Sequence, residues 1–280
     1  MVTFGLHAVG GEMTQSPLGY IVTRTAANTD GAPTLLLIHG FLDDATVWDG
    51  LIGALAGEVA TVRYDLPGFG ARSAAVADAR SASLESLAGE AGEIMAGIDG
   101  PVIVVGQSLG TQVAELVAAQ HADRVRGLVL LTPVPLGGTR LPAAVIAPFR
   151  ALGGDRDAQR ALRAELSPHL SAEQLNRLAD IGGPVAVDVI AHYVDLWNDG
   201  LRNAATSSAF GGPVLIIRGG SDAFVTEQMV DAIRPHFADA DIELINGGGH
   251  WVHVEYPKSV ASAILEFSGA TAELTPGGQA

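Results

Sequence analysis

A chain of 280 residues with 48% hydrophobic and only 17% charged residues can bury a sizeable core as one large domain, or as one domain with an insertion. Its net charge of −15 would repel nucleic acid and anionic membrane surfaces, so neither is an expected partner. It has no cysteine, which excludes disulfides, thiolate catalysis and cysteine metal sites. Met1 to Gly11 shows no basic stretch followed by a long apolar run, and no apolar run reaches about 18 residues. Neither a signal peptide nor a membrane span is expected, and the cytoplasm is the expected location.

Residues 1–17 show no periodicity. Leu18 to Thr25 suits an early strand and Asn28 to Gly31 a turn. Thr34–Ile38 is an apolar run of strand length and ends in His39-Gly40-Phe41-Leu42-Asp43-Asp44. The spacing then predicts a helix over Ala45–Ala56, a strand over Val59–Tyr64 and a helix over Leu84–Ile98. Pro101–Val105 is the next strand, Thr111–Gln120 a helix and Val125–Leu131 a strand. Alternating strand and helix requires crossover connections, hence a parallel sheet and an α/β fold.

The rhythm breaks over residues 134–208, where no strand is expected. Helices are expected over Arg156–Leu166, Ala172–Asp180 and Val185–Asp199, as a helical insertion. Strand and helix resume with Pro213–Ile217, a helix from Thr226 to Phe237, a last strand over Ile242–Ile245 and a final helix over Tyr256–Phe267. The core is therefore expected over residues 1–133 and 209–268, with a mobile tail over 269–280. No internal repeat is present.

The chain is organised around Val102 to Gly110, an apolar run that enters Gly106-Gln-Ser108-Leu-Gly110 and then a helix. A Gly-x-Ser-x-Gly turn between strand and helix is a nucleophile elbow. It projects the serine from the tip and leaves the Leu109 N–H unpaired at a helix N-terminus. Serine attacks only when a base removes its proton, and a histidine base needs a carboxylate to fix its tautomer. Two further strand ends offer these groups: Gly219-Gly-Ser-Asp222 and Gly249-His250. In a parallel sheet the carboxyl ends of the strands share one edge, so residues far apart in sequence meet there.

In the order Ser108, Asp222, His250, with His39-Gly40-Phe41, Asp65-Leu-Pro-Gly-Phe-Gly70 and Glu255-Tyr-Pro257, the chain resembles the α/β-hydrolase fold family from about Leu18 to Phe267. The resemblance implies a mostly parallel central sheet flanked by helices, with the insertion as a helical cap. It implies a Ser108–Asp222–His250 triad, with the Phe41 and Leu109 amides as oxyanion donors and His39 structural. Asp231 and Asp239 are weaker alternatives to Asp222, and His253 to His250. In the insertion, His192, Tyr193 and Trp197 are candidates for substrate binding, although Tyr193 and Trp197, four residues apart, also suit an internal packing contact. Asp43 and Asp44 suit an N-cap of the Ala45 helix better than the pocket wall. His7, His121 and His236 read as surface residues.

Serine at the elbow argues against haloalkane dehalogenase and epoxide hydrolase chemistry, which use aspartate there, and no acidic cluster for a substrate amine favours a proline iminopeptidase. The expected activity is serine hydrolysis of a small-molecule ester or lactone through an acyl-enzyme. Carbon–carbon bond hydrolysis of vinylogous diketones, cofactor-free perhydrolysis and slow-turnover ligand reception remain open on the same scaffold. No metal and no organic cofactor is implied. The sequence does not fix the oligomeric state.

Overall fold

Long apolar runs without polar alternation make strands buried on both faces, and Thr34–Ile38, Val102–Gln107, Val125–Leu131 and Val214–Gly219 are such runs at the centre of this molecule. The computed structural model describes residues 12–15, 21–26 and 31–273. Strands β1 (Glu12–Gln15) and β2 (Ile21–Thr25) precede β3 (Thr34–Ile38), helix α1 (Asp49–Leu55) and β4 (Thr61–Tyr64). Then come α2 (Val76–Ser81), α3 (Leu84–Ala96), β5 (Val102–Gln107), α4 (Leu109–Gln120) and β6 (Val125–Leu131). Four helices follow without an intervening strand: α5 (Ala143–Arg150), α6 (Arg156–Leu166), α7 (Ala172–Gly182) and α8 (Val187–Asp199). The chain closes with β7 (Val214–Gly219), α9 (Glu227–Ile233), β8 (Ala240–Ile245), α10 (Val252–Glu255) and α11 (Pro257–Glu273).

The strands form one sheet in the order β1-β2-β4-β3-β5-β6-β7-β8. β3 to β8 pair in parallel, and β1 and β2 add an antiparallel edge. Alternate residues of the central strands enter two different cores. Leu36, Ile38, Val102 and Val104 join the one on the α3–α4 side, and Leu35, Leu37, Ile103 and Val105 join the one on the α1–α11 side. The chain winds outward in opposite directions from β3 and β5, so the crevice at their carboxyl ends is the topological switch point where α/β sites form. Phe41 follows β3 there, and Ser108 follows β5.

The sequence reading misses four of these elements, one of them the single-turn helix α10 in the loop after β8. Strand β1 is a four-residue edge strand with no hydrophobic period. Helix α2 is one and a half turns long with no side-chain N-cap. Helix α5 contains Pro148, which lacks the amide a helix interior needs, and it buries only Ile146. The helix expected from Ala45 divides into a 3₁₀ turn over Ala45–Trp48 and then α1. Helix α11 continues to Glu273, past the boundary expected at Gly269. The start of the early strand, most of the turn at Asn28–Gly31, His7 and the tail beyond Glu273 lie outside the described residues.

Candidate active site

Ser108 caps α4 with φ 52° and ψ −121°, a left-handed conformation that a residue with a side chain adopts at a cost of about 1–3 kcal/mol. The turn is tight because backbone passes on both sides. A Cβ at Gly106 would strike the Gly110 carbonyl, and one at Gly110 would strike the Ile38 carbonyl oxygen and lie 2.8 Å from that of His39. The obstacles are main-chain atoms and cannot swing aside. Gly110→Ala is therefore expected to destabilise the fold by about 1–3 kcal/mol or more, read as a lower urea midpoint; an unchanged midpoint would show that the β3–α4 approach is loose.

Asp222 and His250 stand at the ends of β7 and β8 and are bonded to each other. His250 Nδ1 lies 2.9 Å from Asp222 Oδ2. The other carboxylate oxygen, Oδ1, accepts the amides of Phe224 at 2.8 Å and Val225 at 2.9 Å, which fixes the carboxylate plane. An imidazole donating through Nδ1 to a carboxylate keeps Nε2 free to accept a proton. The main chain of His250 is fixed as well. Its carbonyl accepts from Gln107 Nε2 and from Thr132 Oγ1, each at 3.1 Å, and its amide donates to Leu166 O at 2.8 Å. Gln107 immediately precedes Ser108, so the serine turn and the histidine loop are tied together. Ser108, Asp222 and His250 are 5%, 5% and 4% exposed. Among the described residues, the amides of Phe41 and Leu109 have no intramolecular acceptor, and no hydrogen bond joins Ser108 to His250.

The other candidates separate by what they touch. His39 is buried, with Nδ1 2.7 Å from Gly40 O and Nε2 accepting the Leu66 amide at 3.0 Å. Both nitrogens are used in holding the loops after β3 and β4. Asp231 and Asp239 are exposed. His236 is not a plain surface residue, because its Nε2 lies 2.7 Å from Glu115 Oε1, which raises its pKa. His253 is fully buried against Trp48 at 4.6 Å between ring centroids, and neither ring nitrogen has a partner. Burial, with a smaller contribution from His250, pulls its pKa down to about 3. The unfolded chain takes up that proton first, at about pH 6.5, so His253 weakens the fold progressively as pH falls from about 6.5 towards 3. His253→Leu is expected to gain stability over wild type in that window, by a few kcal/mol at about pH 4. Parallel denaturation curves at pH 7 and 4 test this, and an equal difference at both would contradict it.

In the insertion, His192 Nε2 reaches Ala82 O at 2.8 Å, and the Tyr193 hydroxyl donates to Pro67 O at 3.0 Å while its ring packs edge-on against Phe69. Both side chains dock α8 on the loop after β4 and the segment before α3. One turn further along, Trp197 meets Phe41, Phe149 and Phe224 at 6.2, 5.8 and 5.5 Å, and Phe224 lies 5.7 Å from the His250 ring. Of the three insertion candidates, Trp197 is the one that joins an aromatic cluster reaching His250.

The two aspartates after β3 also differ. Asp44 is the N-cap, accepting the Thr46 amide at 2.8 Å. Asp43 is not a cap, contrary to expectation. Its Oδ1 accepts from Arg163 at 3.1 Å and its Oδ2 from Trp251 Nε1 at 2.8 Å, and both Asp43 and Arg163 are fully buried. Burial raises the Asp43 pKa, opposed by Arg163, and lowers that of Arg163, opposed by Asp43. Sequence gives one hint of this pair: Arg163 shares a helical face with Leu162 and Leu166, an unusual place for a cation. Among the described residues, no cluster of His, Cys, Asp and Glu side chains suits a metal ion, and no helix is long and apolar enough to cross a membrane.

The model of the alpha/beta hydrolase family matches residues 35–263, and the chain belongs to that family. Lipase LipV of Mycobacterium tuberculosis is 30% identical, over 84% of this chain and 92% of its own. The sn-1-specific diacylglycerol lipase ABHD11 of Mus musculus is 26% identical, over 84% and 80%. Among solved structures, a bromoperoxidase from Bacillus anthracis superposes with a TM-score of 0.77 at 18% identity, covering 92% of this chain and 99% of that one, a likeness of fold.

Proposed function

We propose that this protein is a carboxylic ester hydrolase acting on a small-molecule ester or lactone through an acyl-enzyme on Ser108. The observation that carries the reading is the buried His250 Nδ1 to Asp222 Oδ2 bond beside a strained serine turn. The two curated relatives described above are named as lipases, which supports ester cleavage. His250 Nε2 takes the proton of Ser108 as Oγ attacks the ester carbonyl. The Phe41 and Leu109 amides receive the oxyanion, a contribution worth about 10²–10³ in rate per donor. The carbon–oxygen bond to the alcohol breaks, and the alcohol leaves with the proton from His250. Water gives a proton to the same nitrogen as it attacks the acyl-enzyme; the acyl–Oγ bond then breaks, Oγ takes that proton back from His250, and the acid and free Ser108 are released.

Phe41, Trp197, Phe149 and Phe224 crowd the approach to His250. The insertion thus acts as a cap that restricts the acyl group to short apolar chains. Kinetics on aryl esters of increasing chain length test both statements. Wild type is expected to prefer short chains. Trp197→Ala is expected to shift the ratio of kcat/KM towards eight-carbon acyl groups by about 10-fold or more, as removal of a large apolar wall allows. Hydrolysis of none of the esters would contradict the activity, and an unchanged ratio would contradict the role of Trp197.

A further inference from the structure

One turn at the end of α6 grips both loops that carry the candidate chemistry. Arg163 Nη2 donates to Leu42 O at 2.8 Å and to Asp43 Oδ1 at 3.1 Å. Leu42 follows Phe41 directly and has φ 73°, so the loop there is bent against its own preference and needs an external hold. Three and four residues beyond Arg163, Leu166 O accepts the His250 amide and Ser167 Oγ accepts the Trp251 amide, each at 2.8 Å. Asp43 closes the ring, because its second oxygen takes the Trp251 indole N–H at 2.8 Å while the Arg163 guanidinium lies 5.1 Å from the centre of that indole. Behind it, Gln159 Oε1 accepts from Arg163 at 3.1 Å, and Gln159 Nε2 bonds the carbonyls of Leu152 and Gly182, each at 2.9 Å. The oxyanion loop, the histidine loop and the insertion thus share one fully buried polar network, which is costly to leave half-made.

We infer that Asp43 and Arg163 are positioning residues that hold the Phe41 amide and the His250 ring in mutual register from the insertion, an inference that rests on the esterase reading above. Through this pair the insertion acts on the reaction itself as well as on substrate choice: a shift of α6 displaces the oxyanion loop and the histidine loop together. Neither residue contacts the reacting atoms.

Truncating one partner strands a buried charge and endangers folding. The test is therefore the double variant Asp43→Leu/Arg163→Met, which removes both charges while keeping apolar volume. Arg156→Gln is the control, since it breaks an exposed pair with Asp180 in the same insertion. Amide hydrogen exchange and ester kinetics are read on the same folded samples. In the double variant, protection is expected to fall at residues 39–44 and 249–255 together. Its kcat is expected to fall about 10–100-fold with KM nearly unchanged, as misplaced catalytic groups produce. The control is expected to match wild type in both. Wild-type protection at the two loops overturns the inference, and so do loosened loops with wild-type kcat, which would reduce the pair to a structural tie. If wild type cleaves no ester, the esterase reading fails separately, and exchange still decides whether the pair holds both loops.

Discussion

Ser108→Ala is expected to lower kcat on a short-chain aryl ester by about 10⁴–10⁶-fold, with the fold intact. The magnitude follows from the arrangement. On the proposed mechanism, removing Oγ leaves no nucleophile and gives His250 no proton to take, so the whole covalent route closes. On that mechanism the residual rate is what the Phe41 and Leu109 amides and substrate binding achieve with water, about 10³–10⁴ over solution. Alanine is small enough for the turn and keeps the positive φ that the Gly106 and Gly110 contacts impose. Steady-state kinetics beside a thermal melt check both halves. A variant within about 10-fold of wild type would place the nucleophile elsewhere, because a loss that small is below what a broken triad produces.

Asp222→Asn is expected to lower kcat by about 10⁴-fold while changing stability little. The substitution keeps shape and leaves an oxygen to accept the Phe224 and Val225 amides. That oxygen occupies the Oδ1 position, so the amide NH₂ faces His250. A donor facing Nδ1 forces the proton onto Nε2, the nitrogen proposed to accept from Ser108, and the imidazolium loses its counter-charge. The pattern that supports this account is a collapsed kcat with KM close to wild type. A variant that loses KM and keeps kcat would make Asp222 a substrate-binding residue.

Much of the fold, and of where the candidate residues lie, is legible in the sequence for one physical reason: period and position survive without coordinates. The runs Thr34–Ile38 and Val125–Leu131 are strands with the expected bounds, because unbroken apolar runs bounded by turn formers have few other uses. Ser108 and Asp222 each follow such a run and His250 follows the edge strand β8, and a parallel sheet gathers the ends of its strands on one edge. Residues whose role depends on a distant partner were not legible. Asp43 has the right spacing for an N-cap, and although Arg163 sits on an apolar helical face, its pairing with a residue 120 positions away shows only in the fold. Tyr193 and Trp197 share one helical face at i and i+4, yet each meets a different region, the loop holding Phe69 or the aromatics beside His250. Helix α5 escaped because its proline and its nearly unburied surface erase the usual signals.

The central claim is a covalent intermediate on Ser108. Its most direct test is mass spectrometry of the wild-type protein after reaction with diethyl p-nitrophenyl phosphate, which leaves a stable phosphoryl group on an activated serine. One adduct is expected, located on Ser108, forming in step with loss of ester hydrolysis and absent from Ser108→Ala. An enzyme that loses activity with Ser108 unmodified, or that carries the adduct on another residue, would contradict it.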